Sequence, residues 1–203
     1  MHRRITLLIA LLFFAIPSAA QEKPAPKPQP KPQPKPEAPA KPSPGAGPVI
    51  VIETSRGTIE FETYPEDAPK TVEHILTLVR RRFYNGLRIH RSEENFVIQM
   101  GDPQTRDYTK RELWGSGPAS GSGKPVGVAE FSKRRPNIRG AVGMAHAGDP
   151  RQADSQFYIL RRNILSLNGK YVIFGQVLSG MNVVDQAEVG DVIKRMYLKG
   201  GAR

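Results

Sequence analysis

The stretch VIVIETSRGTIEFETY, residues 49–64, decides the fold. Val49-Ile50-Val51-Ile52 is a β-branched apolar run, and in Thr58-Ile59-Glu60-Phe61-Glu62 apolar and polar side chains alternate with the period of a half-buried strand. Ser55-Arg56-Gly57 between them reads as a tight hairpin turn, so the two runs pair antiparallel. Similar segments follow at Leu87–Arg91, Phe96–Gly101, Gly140–Ala145, Ser155–Arg161, Tyr171–Val177 and Val192–Leu198. Helical spacing is rarer. Val72, Ile75, Leu76 and Val79 form one stripe at i, i+3, i+4 and i+7, and a short helix fits Met181–Ala187. Asp67 is expected to cap the first helix and Pro69 to occupy its first turn, while Arg80-Arg81-Arg82 suits its C-terminus as capping and solvated charge. Many strands and two helices predict a mainly β fold, a closed or nearly closed antiparallel barrel with helices over its ends. Gly115–Gly127 and Ala147–Asp154 fit neither pattern and are expected as loops at the rim.

Composition changes twice ahead of this domain. Residues 1–20 carry Arg3 and Arg4, an apolar run from Ile5 to Ile16, and small residues placed for a cut after Ala20, the pattern of a secretory signal peptide. That run is too short to span a bilayer, so the mature chain is expected to be periplasmic or secreted, with no stable membrane insertion after cleavage. Residues 21–48 hold 11 of the 19 prolines in a near two-residue repeat with lysine and glutamine. Such a segment cannot form helix interior or ladder, and its relaxed state is polyproline II, spanning roughly 85 Å at ~3.1 Å per residue. It reads either as a stiff spacer or as a string of lysines contacting an anionic cell-envelope surface. The +11 formal charge divides accordingly. Two arginines belong to residues 1–20, five lysines against two glutamates to residues 21–48, and +6 remains for the domain at 49–203.

The domain offers little for covalent or metal chemistry. It has no cysteine, which excludes thiol catalysis, disulfides and Cys-ligated metals. His74 lies on the helix, and His90 and His146 have no metal-ligand spacing, so both are expected as hydrogen-bonded structural residues. The glycines from Gly115 to Gly123 do not open a helix after a strand, against a phosphate loop, and no basic and aromatic residues interleave as a nucleic-acid platform requires. The strands do carry an unusual mixture. Arg91 ends one strand, Phe96 and Gln99 occupy the next, and alternation puts Gln156 and Tyr158 on one face with Phe157 on the other. An arginine beside glutamines and aromatics makes a partly apolar groove able to hold a peptide.

Five segments resemble, in order, the successive signatures of the cyclophilins, the peptidyl-prolyl cis-trans isomerases. They are Ile89-His90-Arg91, Phe96-Val97-Ile98-Gln99-Met100-Gly101-Asp102, Gly143-Met144-Ala145-His146-Ala147-Gly148, Ser155-Gln156-Phe157-Tyr158-Ile159 and Asn168-Gly169-Lys170-Tyr171-Val172-Ile173-Phe174-Gly175. The resemblance implies an eight-stranded antiparallel closed barrel capped by two α-helices, and a site without metal or cofactor that acts on proline-containing, unfolded or partly folded polypeptides. It implies that Arg91 is the catalytic residue, that Phe96, Val97, Tyr158 and Leu167 wall the proline pocket, and that Gln99 and Gln156 orient the arginine and the substrate. Ala145, His146 and Ala147 match a stretch that binds peptide backbone. Departures are visible. Tyr158 replaces a common Phe, Tyr171 a frequent His, His146 a frequent Asn, and Met100 a common Gly. Ser166 stands where many eukaryotic members use a Trp to hold cyclosporin, which implies weak inhibition. The competing reading is a non-enzymatic proline-peptide-binding or scaffold module of the envelope. Nucleic acid is not an expected partner.

Overall fold

The computed structural model describes residues 43–117 and 121–201. The expected signal at 1–20 and the first part of the proline-rich segment, 21–42, lie outside the described residues. Ser43–Pro48 lie within them and are bound to the domain, although their composition groups them with the spacer. The Ser43 amide donates to Glu62 Oε2 (2.9 Å), Gly47 N donates to the Thr63 carbonyl (2.7 Å), and Arg135 Nη2 donates to the Pro44 carbonyl (2.8 Å).

The opening hairpin forms as its pattern requires. β1 (Val49–Thr54) and β2 (Thr58–Thr63) pair antiparallel with Ile50 opposite Phe61 and Ile52 opposite Ile59, all four fully buried on one face. Gly57 turns the chain at φ +146°, and a Cβ there would sit 2.8 Å from Val183 Cγ2. The remaining strands are β3 (Arg91–Ser92), β4 (Val97–Met100), β5 (Ala141–Met144), β6 (Phe157–Leu160), β7 (Ile173–Ser179) and β8 (Ile193–Leu198). They form one antiparallel sheet in the order β3-β4-β6-β5-β7-β2-β1-β8.

The sheet curls into a half-barrel and does not close as a ladder, which corrects the expected closed barrel. β3 and β8 are its two edges. The physical reason lies in β3, which is only two residues long. The chain before it meets the chain before β8 through a single bridge, Arg88 opposite Val192, and a few bonds around it such as Ile89 N to the Asp191 carbonyl (2.9 Å).

Two helices accompany the sheet, α1 (Pro69–Arg80) against β8 and α2 (Met181–Gln186) against β2. The cap of α1 is not the expected one. Asp67 stands one residue before the N-cap position, Ala68, and its carboxylate is bound by Ser132, Arg134 and Arg135. The first amides of α1 are satisfied from afar: Glu130 accepts from Lys70 N (3.0 Å) and Thr71 N (2.9 Å). In β4, β5 and β6 one face supplies Ile98, Met100, Val142, Met144, Phe157 and Ile159 to the main core. Phe157 there meets Tyr84, Phe61 and Phe174 with ring centroids 5.6–6.2 Å apart, a packed aromatic cluster. Met100 is simply part of this core. The opposite face supplies Val97, Ala141, Tyr158, Leu160 and Ile173 to a second, smaller cluster. That outer cluster floors the site.

Candidate active site

Strand register brings the site residues into a row. Arg91 on β3 is opposite Gln99 on β4, Gln99 is opposite Tyr158 on β6, and Tyr158 is opposite Gly143 on β5. Cross-strand partners share a face, so an antiparallel sheet converts four separate sequence positions into one line. Tyr158 is almost fully buried because it lies across Gly143, where any Cβ would overlap its ring. Its hydroxyl donates to Asn137 Oδ1 (2.8 Å) and so is turned away from solvent and already satisfied. Burial pushes the Tyr158 phenol well above its usual range. Tyr171 packs edge-on to Tyr158 at 5.7 Å and against His146 at 4.6 Å, and His146 Nε2 lies 3.0 Å from the Lys170 carbonyl oxygen.

Arg91 stands at the mouth of this pocket. Its guanidinium lies 5.3 Å from the centre of the Phe96 ring, and its Nε and Nη2 both point at Glu93 Oε1 (2.7 and 2.6 Å). Gln99 does not hold the arginine in this structure: its Nε2 donates to Gln156 Oε1 (2.8 Å). The glutamines are tied to each other, and the arginine is held by Glu93 and an aromatic face. The strand-turn-strand unit carrying Arg91 is braced from below by Arg161. This buried arginine donates to the carbonyls of Glu93 (2.9 Å), Val184 (3.0 Å) and Ala187 (2.8 Å) and to Ser92 Oγ (3.0 Å).

A cavity of about 790 Å³ opens over the row. All eleven residues singled out by sequence line it: Arg91, Phe96, Val97, Gln99 and Gln156, the stretch Ala145, His146 and Ala147, and Tyr158, Leu167 and Tyr171. The loops expected at the rim supply the rest of the wall, including Gly115, Gly121, Asp149 and Asp154. Asp154 fixes that wall. Burial alone would raise its pKa, yet His74 Nε2 at 3.3 Å, the Ser122 hydroxyl and the Gly123 amide (2.9 Å) hold it below the usual carboxylate range. Beneath it, burial holds the His90 imidazole at a pKa of about 4, against opposing contributions from Asp102 and Gln156. His90 is therefore neutral at pH 7.

The comparisons with known proteins now bear on this geometry. The family model described as cyclophilin type peptidyl-prolyl cis-trans isomerase/CLD matches residues 49–199. The chain belongs to the cyclophilin-type peptidyl-prolyl cis-trans isomerases. A probable peptidyl-prolyl cis-trans isomerase of Brucella abortus is 38% identical over 141 residues, covering 70% of this chain and 71% of that protein. The human peptidyl-prolyl cis-trans isomerase-like 3 is 32% identical over 148 residues, 73% of this chain and 86% of the relative. Among solved structures, a Cryptosporidium parvum cyclophilin type isomerase, crystallised in the presence of the dipeptide Ala-Pro, is 25% identical with a TM-score of 0.63, covering 75% of this chain and 99% of that one. A cyclophilin from Hirschia baltica shares the fold at 23% identity and TM-score 0.59, with 76% and 75% covered.

Within this cyclophilin, three functional contributors escaped sequence reasoning. Asn137 receives the Tyr158 hydroxyl, Glu93 holds the arginine and Arg161 braces its turn. Glu93 lies just past the end of β3, two residues after Arg91, and left no periodic signal. The other two reach the site through long-range contacts.

Proposed function

We propose that this cyclophilin accelerates rotation about X-Pro bonds in exported polypeptides, assisting their folding, with Arg91 as its catalytic residue. An X-Pro bond prefers trans by only about 0.5–1 kcal/mol, yet rotation must cross ~18–20 kcal/mol because resonance gives the C–N bond double-bond character. No covalent bond needs to break. In the twisted state the proline nitrogen loses resonance, becomes pyramidal and gains a lone pair able to accept a hydrogen bond. The guanidinium of Arg91 carries five N–H donors, and Glu93 engages two of its nitrogens through one oxygen, which leaves donors for that lone pair and the prolyl carbonyl. Phe96, Val97, Tyr158 and Leu167 exclude water around the ring, where a donor aimed at developing electron density counts most. Gln99 and Gln156, coupled to each other, and the stretch from Ala145 to Ala147 are assigned to the peptide main chain, with Tyr171 as a side wall.

The observation that carries this reading is the cross-sheet row from Arg91 to Gly143 opening beside Phe96 into one cavity. Binding and turnover measured on one proline peptide separate it from a scaffold. Saturable binding with no acceleration of exchange would favour the docking module. Ser166, in place of an indole, supports weak cyclosporin binding; nanomolar inhibition in the same assay would contradict it. The leader pattern at 1–20 supports export to the periplasm or medium, with residues 21–42 as a spacer whose lysines contact an anionic envelope surface. Mature protein beginning at Gln21 and retained by envelope fractions is the expected outcome. A full-length cytoplasmic product would overturn export.

A further inference from the structure

The floor and the wall of the proline pocket are carried by different parts of the chain, and one buried side chain joins them. Tyr158 on β6 is the floor, while Leu167 stands outside the sheet on the short 3-10 turn Leu165–Leu167. Asn137 links the two, only 1% exposed and with each of its polar groups engaged. Its Oδ1 accepts from the Tyr158 hydroxyl (2.8 Å). Toward the wall, its backbone N and its Nδ2 both donate to Asn168 Oδ1 (2.7 and 3.2 Å), and its carbonyl accepts from Ile164 N (2.8 Å). Ile164 and Asn168 are the residues just before and just after the turn, so both of its ends are fastened to Asn137. Within the turn Leu167 N donates to the Ile164 carbonyl (3.0 Å) and Asn168 N to the Leu165 carbonyl (3.1 Å), which carries the fastening to Leu167 itself.

Tyr158, Ile164 and Leu167 also share the outer apolar cluster. Apolar attraction has no direction and lets such surfaces slide, whereas a buried network with every group satisfied holds one arrangement. We propose that Asn137 is a positioning residue of this cyclophilin, a strut that sets the gap between Tyr158 and Leu167 and so fits the pocket to a five-membered prolyl ring. This rests on the function proposed above, which places the prolyl ring between those two residues, and adds to it a determinant of ring size. Asn137 does not itself line the cavity, so it acts through the residues that do. A Phe at position 158 would keep the floor and lose the strut, since only the hydroxyl reaches Asn137.

The test compares two short peptides that differ only in the ring, one with proline and one with its six-membered homologue pipecolic acid, by titration and by turnover with the full-length protein. One methylene in an apolar pocket is worth roughly 10–200-fold, and wild type is expected to prefer proline within that range. Asn137→Ala cuts the strut at the floor and Asn168→Ala cuts it at the turn; each should lower the preference about tenfold, with the turnover loss on the proline peptide lying in KM and not in kcat. Tyr158→Phe should repeat the lowered preference if Asn137→Ala does not fold. The control is Asn163→Ala. Its side chain ties the same two loops together by accepting from Arg139 N (2.8 Å) without lining the cavity, and the preference should stay within about twofold of wild type. Wild-type binding without turnover would overturn the isomerase reading, while the ring preference would still decide for or against the strut. An unchanged preference in folded Asn137→Ala and Asn168→Ala, an equal loss in Asn163→Ala, or a wild type that does not distinguish the two rings would each overturn the proposal.

Discussion

Gly143 shows how much one missing Cβ decides. The Tyr158 ring occupies the space above it, so Gly143→Ala must displace the pocket floor. Substrate affinity is expected to fall more than stability, and peptide titration alongside urea denaturation would show it; an unchanged KM would mean the floor tolerates the shift. His90 makes a prediction about pH. Its folded pKa of about 4 lies below the ordinary value of 6.5, so the unfolded chain takes up a proton first as pH falls. The stability associated with neutral His90 is full above about pH 6.5 and declines toward pH 4, by about 3 kcal/mol at most. His90→Gln should flatten the pH dependence of urea midpoints in that window. At this scale the sequence was informative wherever a residue acts through its own strand, as Arg91, Phe96 and Tyr158 do. It was silent on Asn137, whose role exists only because the loop at 137 folds over Tyr158.

Elements were legible through their periodicity, and their ends were not. Seven of the eight strands and both helices overlap the segments where alternation and helical spacing put them, because those patterns record which side faces the core; the expected strand Leu87–Arg91 is instead a single bridge at Arg88 followed by the two-residue β3. The α1 cap could not be read, since the acid that supplies it is Glu130, sixty residues away, while the local candidate Asp67 is drawn off by Arg134 and Arg135. The short 3-10 helices at Pro103–Arg106 and Tyr108–Leu113 lack any apolar stripe and gave no periodic signal. The β3–β4 turn carries Arg91, the proposed catalytic residue, and it is held by Arg161. Arg161→Met would remove the four hydrogen bonds that Arg161 donates to the carbonyls of Glu93, Val184 and Ala187 and to the Ser92 hydroxyl, and a loss of about 3 kcal/mol or more in chemical denaturation is expected. Stability within about 0.5 kcal/mol of wild type would show that water replaces it.

The whole molecule distributes its charge and its prolines unevenly along the chain. The net +6 of residues 49–203 does not tell which cations are paired, and the cavity mouth keeps its arginine paired with Glu93. Overall composition could not reveal this, because pairing is a property of the fold. The closure of the barrel was equally unreadable: eight strands are compatible with a closed ladder, and only the shortness of β3 leaves the sheet a curled half-barrel with edges joined by one bridge. What was legible at this scale was the peptide groove, since no cysteine, metal spacing or phosphate loop competed with it. In the proposed mechanism its chemistry rests on a single donor, Arg91. The most direct measurement is the rate of cis-to-trans conversion of a short X-Pro peptide by wild type and Arg91→Ala, with folding checked by circular dichroism. A loss of about 10²–10³-fold is expected for removal of a donor aimed at the transition state; a folded Arg91→Ala protein that retains the wild-type rate would contradict the catalytic role of Arg91.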